Sequence, residues 1–251
     1  MTVLVGGVYE LFQGDLDLGR LAVERLRAEG LPSHVLAEDL HYGAVAVVQR
    51  LQDLRPDVFV LVTAVRRDRV PGTVERRRVN PPPVDPGQFQ AAVGDAVTGY
   101  VHIDLLVEVA TGFEALPART VAVEVEPAHV GPGEGLTPEA AAALESALEI
   151  VRAEVRRAPL LQLADDLRSL VAGDRLEESV PLSALRELLT ELERLDREGR
   201  WGRTFALRDR FRLAIAGGTS SEGMDHRDWG LWWALVEELD RVEALEAVVP
   251  D

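Results

Sequence analysis

The sequence predicts an α/β fold with a mostly parallel sheet, followed by an all-α helical extension. Three observations carry this expectation. Through residue 157, short β-branched runs alternate with amphipathic helical patterns, the arrangement of successive βαβ units. One of those runs, Asp57 to Val65, is apolar on both faces, as a strand covered by helices on both sides must be. Beyond Pro159 no strand pattern remains, and all four tryptophans (Trp201, Trp229, Trp232, Trp233) lie in the final third. The expected division is therefore 1–157 for the α/β domain and 158–251 for the helical extension.

The elements follow in order. Thr2 to Val8 reads as the first strand. Leu18 to Glu29 reads as a helix with Leu21 and Leu26 on one face, stopped by Gly30, since glycine closes helices at little conformational cost. Ser33 to Leu36 is a second strand, Gly43 to Leu51 a short helix and Asp57 to Val65 the central strand. After a turn at Pro71-Gly72, Thr73 to Val79 alternates in the manner of an edge strand. A proline-rich loop, Asn80 to Pro86, leads into a segment ending at Gly99. His102 to Thr111 reads as helical and Arg119 to Glu126 as the last strand. Thr137 is a good N-cap with Pro138 at the first helical position, and the helix it starts places Leu144, Leu148, Val151 and Val155 on one face. Its acids come early (Glu139, Glu145, Glu149) and its arginines late (Arg152, Arg156, Arg157), as the helix dipole favours. Pro159 marks the boundary.

The extension offers four candidate helices, Leu160 to Val171, Leu182 to Leu195, Thr204 to Ala216 and Asp228 to Ala247, separated by turn signals such as Gly173 and the run Gly217 to Gly223. Leu182, Leu185, Leu189, Leu192 and Leu195 recur at bundle spacing. Trp229, Trp232, Val236 and Leu239 share a helical spacing that places them in a core, with an exposed aromatic face as the alternative.

Composition narrows the function. The 251 residues include 27 basic and 43 acidic side chains, a net charge of −16, which repels nucleic-acid phosphates. There is no cysteine, so disulfides, thiolate nucleophiles and cysteine metal sites are excluded. No uncharged apolar stretch approaches the roughly 20 residues of a membrane span, and the first residues lack a basic segment and a cleavage site of the secretory kind. The expectation is a cytoplasmic protein with no nucleic-acid and no membrane partner. Gly6-Gly7 lacks the dinucleotide spacing, there is no P-loop lysine because every basic residue is arginine, and neither HExxH nor GxSxG occurs.

The stretch VLVGGVYELFQGDLDLGRLAVERL, Val3 to Leu26, is the informative one: a strand, a loop with acids, then a helix. It resembles the opening of the nickel-iron hydrogenase maturation proteases. The resemblance continues in register through the central strand and Pro71-Gly72-Thr73, returns at Tyr100 to Pro127, and ends with VGPGEGLTPEAAAALESALEIV, Val130 to Val151. It covers about the first 157 residues. It implies a three-layer α/β/α sandwich acting on the precursor of a hydrogenase large subunit, from which family members remove a C-terminal peptide once nickel is inserted. It also implies no cofactor of the chain's own, nickel being contacted in the bound substrate.

The family's nickel contacts are an acid in the first turn, an aspartate after the central strand and a histidine before the third helix. Mapped by the resemblance, the histidine is His102, whereas Leu16 and Thr63 stand where the two acids belong and Glu10 stands where an asparagine is usual. Leucine has no donor atom, and a threonine hydroxyl is a poor ligand beside a carboxylate. Asp15 and Asp17 lie on the same turn, and Asp17 is the candidate to supply a carboxylate from a shifted position. The metal candidates are thus His102, Asp17 and Asp15. Capping of the first helix is the competing role for Asp15 or Asp17, and for His102 it is that of a capped or partly solvated residue at a helix entrance. His129 suits a loop role.

Between Arg66 and Arg78 six arginines (Arg66, Arg67, Arg69, Arg76, Arg77, Arg78) stand against Asp68 and Glu75. They form either a solvated hairpin paired with acidic helices or a docking patch for an acidic partner, with Arg76, Arg77 and Arg78 as partner-binding candidates. Three functions remain open on these residues: an endopeptidase with a rearranged site, a catalytically degenerate homologue kept as a binding or assembly factor, and a scaffold unrelated to hydrogenase.

Overall fold

The strands are β1 (Val3–Gly7), β2 (Val35–Asp39), β3 (Val58–Ala64), β4 (Val74–Arg78) and β5 (Arg119–Val125). In the computed structural model, which describes residues 1–81, 85–96, 101–172, 180–199, 201, 205–217 and 226–246, they form one sheet in the order β2-β1-β3-β5-β4. β1 pairs in parallel with β2 and β3, and β3 in parallel with β5, with Val5 opposite Val60 and Val60 opposite Val121. β4 closes the sheet as an antiparallel edge strand on β5. β3 and β5 are buried at every position, as the apolar run of β3 requires of a strand covered on both faces, and β5 buries Arg119, Thr120 and Glu124 among its valines.

The helices are α1 (Leu18–Glu29), α2 (Ala44–Leu54), α3 (Pro86–Ala96), α4 (Ile103–Gly112), α5 (Pro138–Ala172), α6 (Val180–Glu198), α7 (Phe205–Gly217) and α8 (His226–Glu246). The chain divides into two compact units, Met1–Val155 and Arg156–Asp251. The first is the expected three-layer sandwich. On one face α2, α3 and α4 cover Leu4, Phe59, Leu61 and Ala122 with Val47, Val48, Leu51, Ala92, Leu106 and Val109. On the other, α1 buries Leu18, Ala22, Val23 and Leu26, and the start of α5 buries Ala140, Ala147, Leu148 and Val151. Each of these valines, leucines and Phe59 contributes about 1.5–3 kcal/mol on leaving water, the alanines less. Leu21, expected on the inner face of α1, is only half-buried, because Leu18, Ala22 and Leu26 take that stripe.

Several boundaries differ from expectation for identifiable reasons. β2 starts and ends later than Ser33 to Leu36, because its pairing with β1 extends to Gly7 opposite Asp39. α3 forms where only a loop and an unassigned segment were expected. The Asp85 carboxylate accepts from the Gly87 and Gln88 amides at 3.0 and 3.2 Å, so Asp85-Pro86 starts a helix just as Thr137-Pro138 does. Pro159 does not end a helix: α5 runs through it to Ala172, with Leu160, Leu161, Ala164 and Leu167 buried on the far side. A proline there costs one backbone hydrogen bond, which that apolar stripe outweighs.

The second unit is all helical. Its core joins Leu160, Leu161 and Leu167 to Leu182, Leu185, Leu188, Leu189, Leu192 and Leu195, and to Phe211, Trp232, Val236 and Leu239. Trp201 and Trp232 are buried, with the Arg157 guanidinium 4.8 Å over the Trp201 ring, whereas Trp233 is 38 % exposed. The side chain of Trp229, Thr204, Ala247, Gly173 and most of the Gly217 to Gly223 run lie outside the described residues. No helix among the described residues is long and apolar enough to cross a membrane.

The approach of α1 to the sheet depends on two glycines. A Cβ at Gly7 would lie 2.3 Å from the Gly19 carbonyl oxygen, and one at Gly19 would lie 2.4 Å from the Val8 carbonyl oxygen. Neither obstacle is a flexible side chain, so the helix would have to lift. Gly19→Ala is expected to lower stability by about 1–3 kcal/mol in urea unfolding, despite alanine's better helix propensity. An unchanged or raised midpoint would show that α1 is not pressed against the sheet there.

Candidate functional site

The chain leaves β1 toward β2 on one side and leaves β3 toward the β5-β4 edge on the other, so connections diverge between these two adjacent strands. In an open α/β sheet such a divergence opens a crevice at the carboxyl ends of the strands. A cleft of about 260 Å³ lies there. Val8, Tyr9 and Glu10 reach it from the end of β1, and Thr63, Ala64, Val65 and Arg66 from the end of β3. Val101, His102 and Ile103 reach it from the start of α4, and Leu16 and Val130 from two flanking loops. The four positions that the family resemblance picks out, Glu10, Leu16, Thr63 and His102, therefore line one cleft.

The loop carrying Leu16 is held by Asp15. This carboxylate is fully buried and accepts from the Ala128 and His129 amides, both at 2.8 Å, from the Thr137 amide at 2.7 Å and from the Thr137 hydroxyl at 2.9 Å. Backbone bridges beside it, Gln13 with Gly133 and Gly14 with Val130, complete the seam. Gly14 has φ 61°, and a Cβ on it would lie 2.7 Å from the His129 ring, so the seam closes only over glycine. Asp15 thus ties two loops and orients the N-cap of α5. Both of its oxygens are engaged by these bonds, it does not cap α1, and it does not line the cleft. His129 takes its expected loop role.

Asp17 is likewise engaged. It precedes α1 without capping it, and the Arg20 Nε lies 2.8 and 3.1 Å from its two carboxylate oxygens, with Arg20 Nη2 closer still. It does not line the cleft. His102 is the N-cap of α4, its Nδ1 accepting from the Leu105 amide at 3.3 Å. In the neutral ring the proton then sits on Nε2. To ligate a metal through Nε2 the ring must shift that proton to Nδ1 and lose the cap, at a cost of about 1 kcal/mol. Thr63 is buried and its hydroxyl donates to the Ala64 carbonyl at 3.2 Å. Among the described residues no three histidine, cysteine, aspartate or glutamate side chains are grouped to hold a metal ion. The candidate triad of His102, Asp17 and Asp15 is not brought together, and the cleft wall is mainly aliphatic.

One neighbouring contact was not legible in the sequence. The Tyr9 hydroxyl lies 2.9 Å from His41 Nδ1, and the two rings stack with centroids 4.9 Å apart. Burial, and then the nearby Asp39 carboxylate, push the Tyr9 phenol above its usual range. The pair is made by the β1-β2 register, which brings the ends of those strands side by side.

The arginine run is mostly spent inside the protein. Glu124 on β5 is fully buried and accepts from Arg67 at 3.0 and 3.1 Å, from Arg69 at 2.9 Å and from Arg77 at 2.8 Å. Arg67 also holds Asp104 through two bonds of 2.7 and 2.8 Å. Arg76 forms a fork with Glu154 at 2.9 and 3.0 Å, the two side chains being 9 % and 4 % exposed. Arg78 donates to the Ala118 carbonyl. The expected docking trio of Arg76, Arg77 and Arg78 is thus engaged within its own unit: Arg77 and Arg76 answer the buried carboxylates of Glu124 and Glu154, which require cations beside them, and Arg78 holds a backbone carbonyl. Arg66, exposed at the cleft, has no partner among the described residues.

No family model matches the sequence, and no curated protein matches it. Solved structures do. The hydrogenase maturating endopeptidase HybD from Escherichia coli is similar at 26 % identity and a TM-score of 0.48, over 63 % of this chain and 94 % of that one. A hydrogenase 2 maturation peptidase from a Thaumarchaeota archaeon is similar at 24 % identity and a TM-score of 0.43, over 60 % and 95 %. The HycI maturation protease from Thermococcus kodakarensis is similar at 17 % identity and a TM-score of 0.43, over 60 % and 89 %.

The Glu124 cluster yields a pH prediction. Burial alone would raise this carboxyl, but the hydrogen bonds from Arg67, Arg77 and Arg69 outweigh it and hold it at about 2 against an ordinary 4.5. A carboxyl lowered on folding stabilises the native state above its unfolded pKa and loses that contribution as pH falls toward its folded one. Urea midpoints should therefore fall between pH 5 and about pH 2, and Glu124→Gln should remove this component while costing about 3–5 kcal/mol at neutral pH. A Glu124→Gln protein as stable as the parent at neutral pH would contradict the assignment.

Proposed function

We propose that this chain assists maturation of a nickel-iron hydrogenase large subunit by binding its precursor at the β1-β3 cleft, without cleaving it. Resemblance to the maturation proteases at Val3 to Leu26, Tyr100 to Pro127 and Val130 to Val151 supports the partner. The single observation that carries the non-cleaving form is the convergence of Leu16, Thr63 and His102 on one cleft, where two of the three mapped contact positions lack a carboxylate and the third caps a helix, leaving Glu10 as the one carboxylate on the wall. Leucine replaces one acid and threonine the other, and the imidazole is committed to a helix cap.

The rearranged peptidase would need Asp17, whose carboxylate is held by Arg20. Nickel belongs to the substrate in either reading, and no cofactor of the chain's own enters it. The binding reading keeps the cleft as a surface for protein recognition and leaves proteolysis to another factor.

The test incubates the purified full chain with nickel-loaded large-subunit precursor, reads the precursor's intact mass, and measures capture on the immobilised chain. Capture with an unchanged mass is expected. Loss of the C-terminal peptide, abolished by His102→Ala and by Asp17→Asn, would overturn the non-cleaving form. Neither capture nor cleavage would leave a scaffold unrelated to hydrogenase.

A further inference from the structure

Five of the six arginines between residues 66 and 78 have partners within the first unit, and Arg66 alone of the run stands on the cleft with none among the described residues. The cleft beside it is walled by Val8, Leu16, Val65, Val101, Ile103 and Val130. Its volume of about 260 Å³ lies below the roughly 300–1,000 Å³ of sites for drug-sized ligands, and it has the scale of a side-chain subsite. The Thr63 hydroxyl proton and Nδ1 of His102 are already bonded, and most of the remaining wall is aliphatic, so the cleft suits an apolar side chain, with Arg66 and Glu10 as the charged groups that line it.

The geometry points to a subsite for a bulky aliphatic side chain of an extended peptide, with the carboxylate of the adjacent peptide residue paired to Arg66. This deepens the binding reading above and rests on it. Two physical terms recognise the occupant. Burial of a leucine-sized group drives entry, and the guanidinium fork selects a carboxylate at the rim. Glu10, also lining the cleft and without a side-chain partner among the described residues, accepts a peptide amide and repels a carboxylate placed on its own side. The acidic neighbour is thereby directed to Arg66. In a chain of net charge −16, one uncommitted cation at an apolar cleft is a local exception to a field that otherwise repels acidic peptides.

The experiment uses the full chain and three labelled peptides of extended sequence that differ only in a central pair, Leu-Asp, Leu-Lys or Ser-Asp, read by fluorescence anisotropy. Leu-Asp is expected to bind roughly tenfold more tightly than either of the others. Arg66→Glu should abolish that preference and favour Leu-Lys, while Arg25→Glu, an equal charge change on the solvent face of α1, should leave the order intact. Equal binding of the three, no binding of any, or a Leu-Asp preference that survives Arg66→Glu would overturn the subsite. Capture of the large-subunit precursor, measured on the same preparations, separates the two claims. If capture persists while the peptides are not discriminated, the subsite fails and the binding reading stands. If the peptides are discriminated while the precursor is ignored, the binding reading fails alone.

Discussion

The cleft depends on one buried carboxylate. Asp15 lies in the first turn, yet three of its hydrogen bonds reach Ala128, His129 and the Thr137 amide, and a fourth comes from the Thr137 hydroxyl. Bonds from amides to an ionised acceptor are about twice as strong as neutral ones, and four on one carboxylate make the charge tolerable in a buried place. They fix the loop that carries Leu16 against the loop that carries Val130, so two walls of the cleft are positioned by the same side chain. The same hydrogen bonds set Thr137 to cap α5, with its hydroxyl 3.2 Å from the Ala140 amide. An acid that organises this much structure is held away from the cleft, which it does not line.

A second buried acid organises the far side of the sheet. Glu124 sits inside β5, and β4 and the turn before it supply Arg77, Arg69 and Arg67 to surround it. The basic run that looks, along the chain, like an exposed patch is therefore the counterpart of a glutamate about 50 residues later. It leaves Arg66, at the end of β3, as the cation facing the cleft. Both buried acids do structural work that frees the cleft to be shaped by Val8, Leu16, Val65 and Ile103, and an aliphatic cleft with one cation recognises a side chain better than it holds a metal.

Much of this was legible in the letters. The apolar run Asp57 to Val65 marked the central strand, Thr137-Pro138 marked the start of α5, and the leucines from Leu182 to Leu195 marked a buried helix face, all from local pattern alone. Asp85-Pro86 carries the same capping signal as Thr137-Pro138 but lies beside a proline-rich loop, which masks the start of α3. Pro159 was read by its local preference, which the buried stripe of Leu160, Leu161 and Ala164 overrides. What could not be read was pairing across the fold. That Asp15 meets Thr137, that Glu124 meets Arg67, and that Tyr9 meets His41 are consequences of strand order, and strand order is not written in any one segment.

The central claim is that the cleft lacks two of the three carboxylate and imidazole groups needed to hold nickel, with Leu16 and Thr63 in place of acids, and nickel titration calorimetry tests it most directly. The parent chain should bind nickel no better than a lone surface histidine does, while the double variant Leu16→Glu with Thr63→Asp, which puts carboxylates at two positions lining the same cleft as His102, should gain a site that His102→Ala removes. A tight nickel site in the parent chain, lost on His102→Ala, would contradict the account.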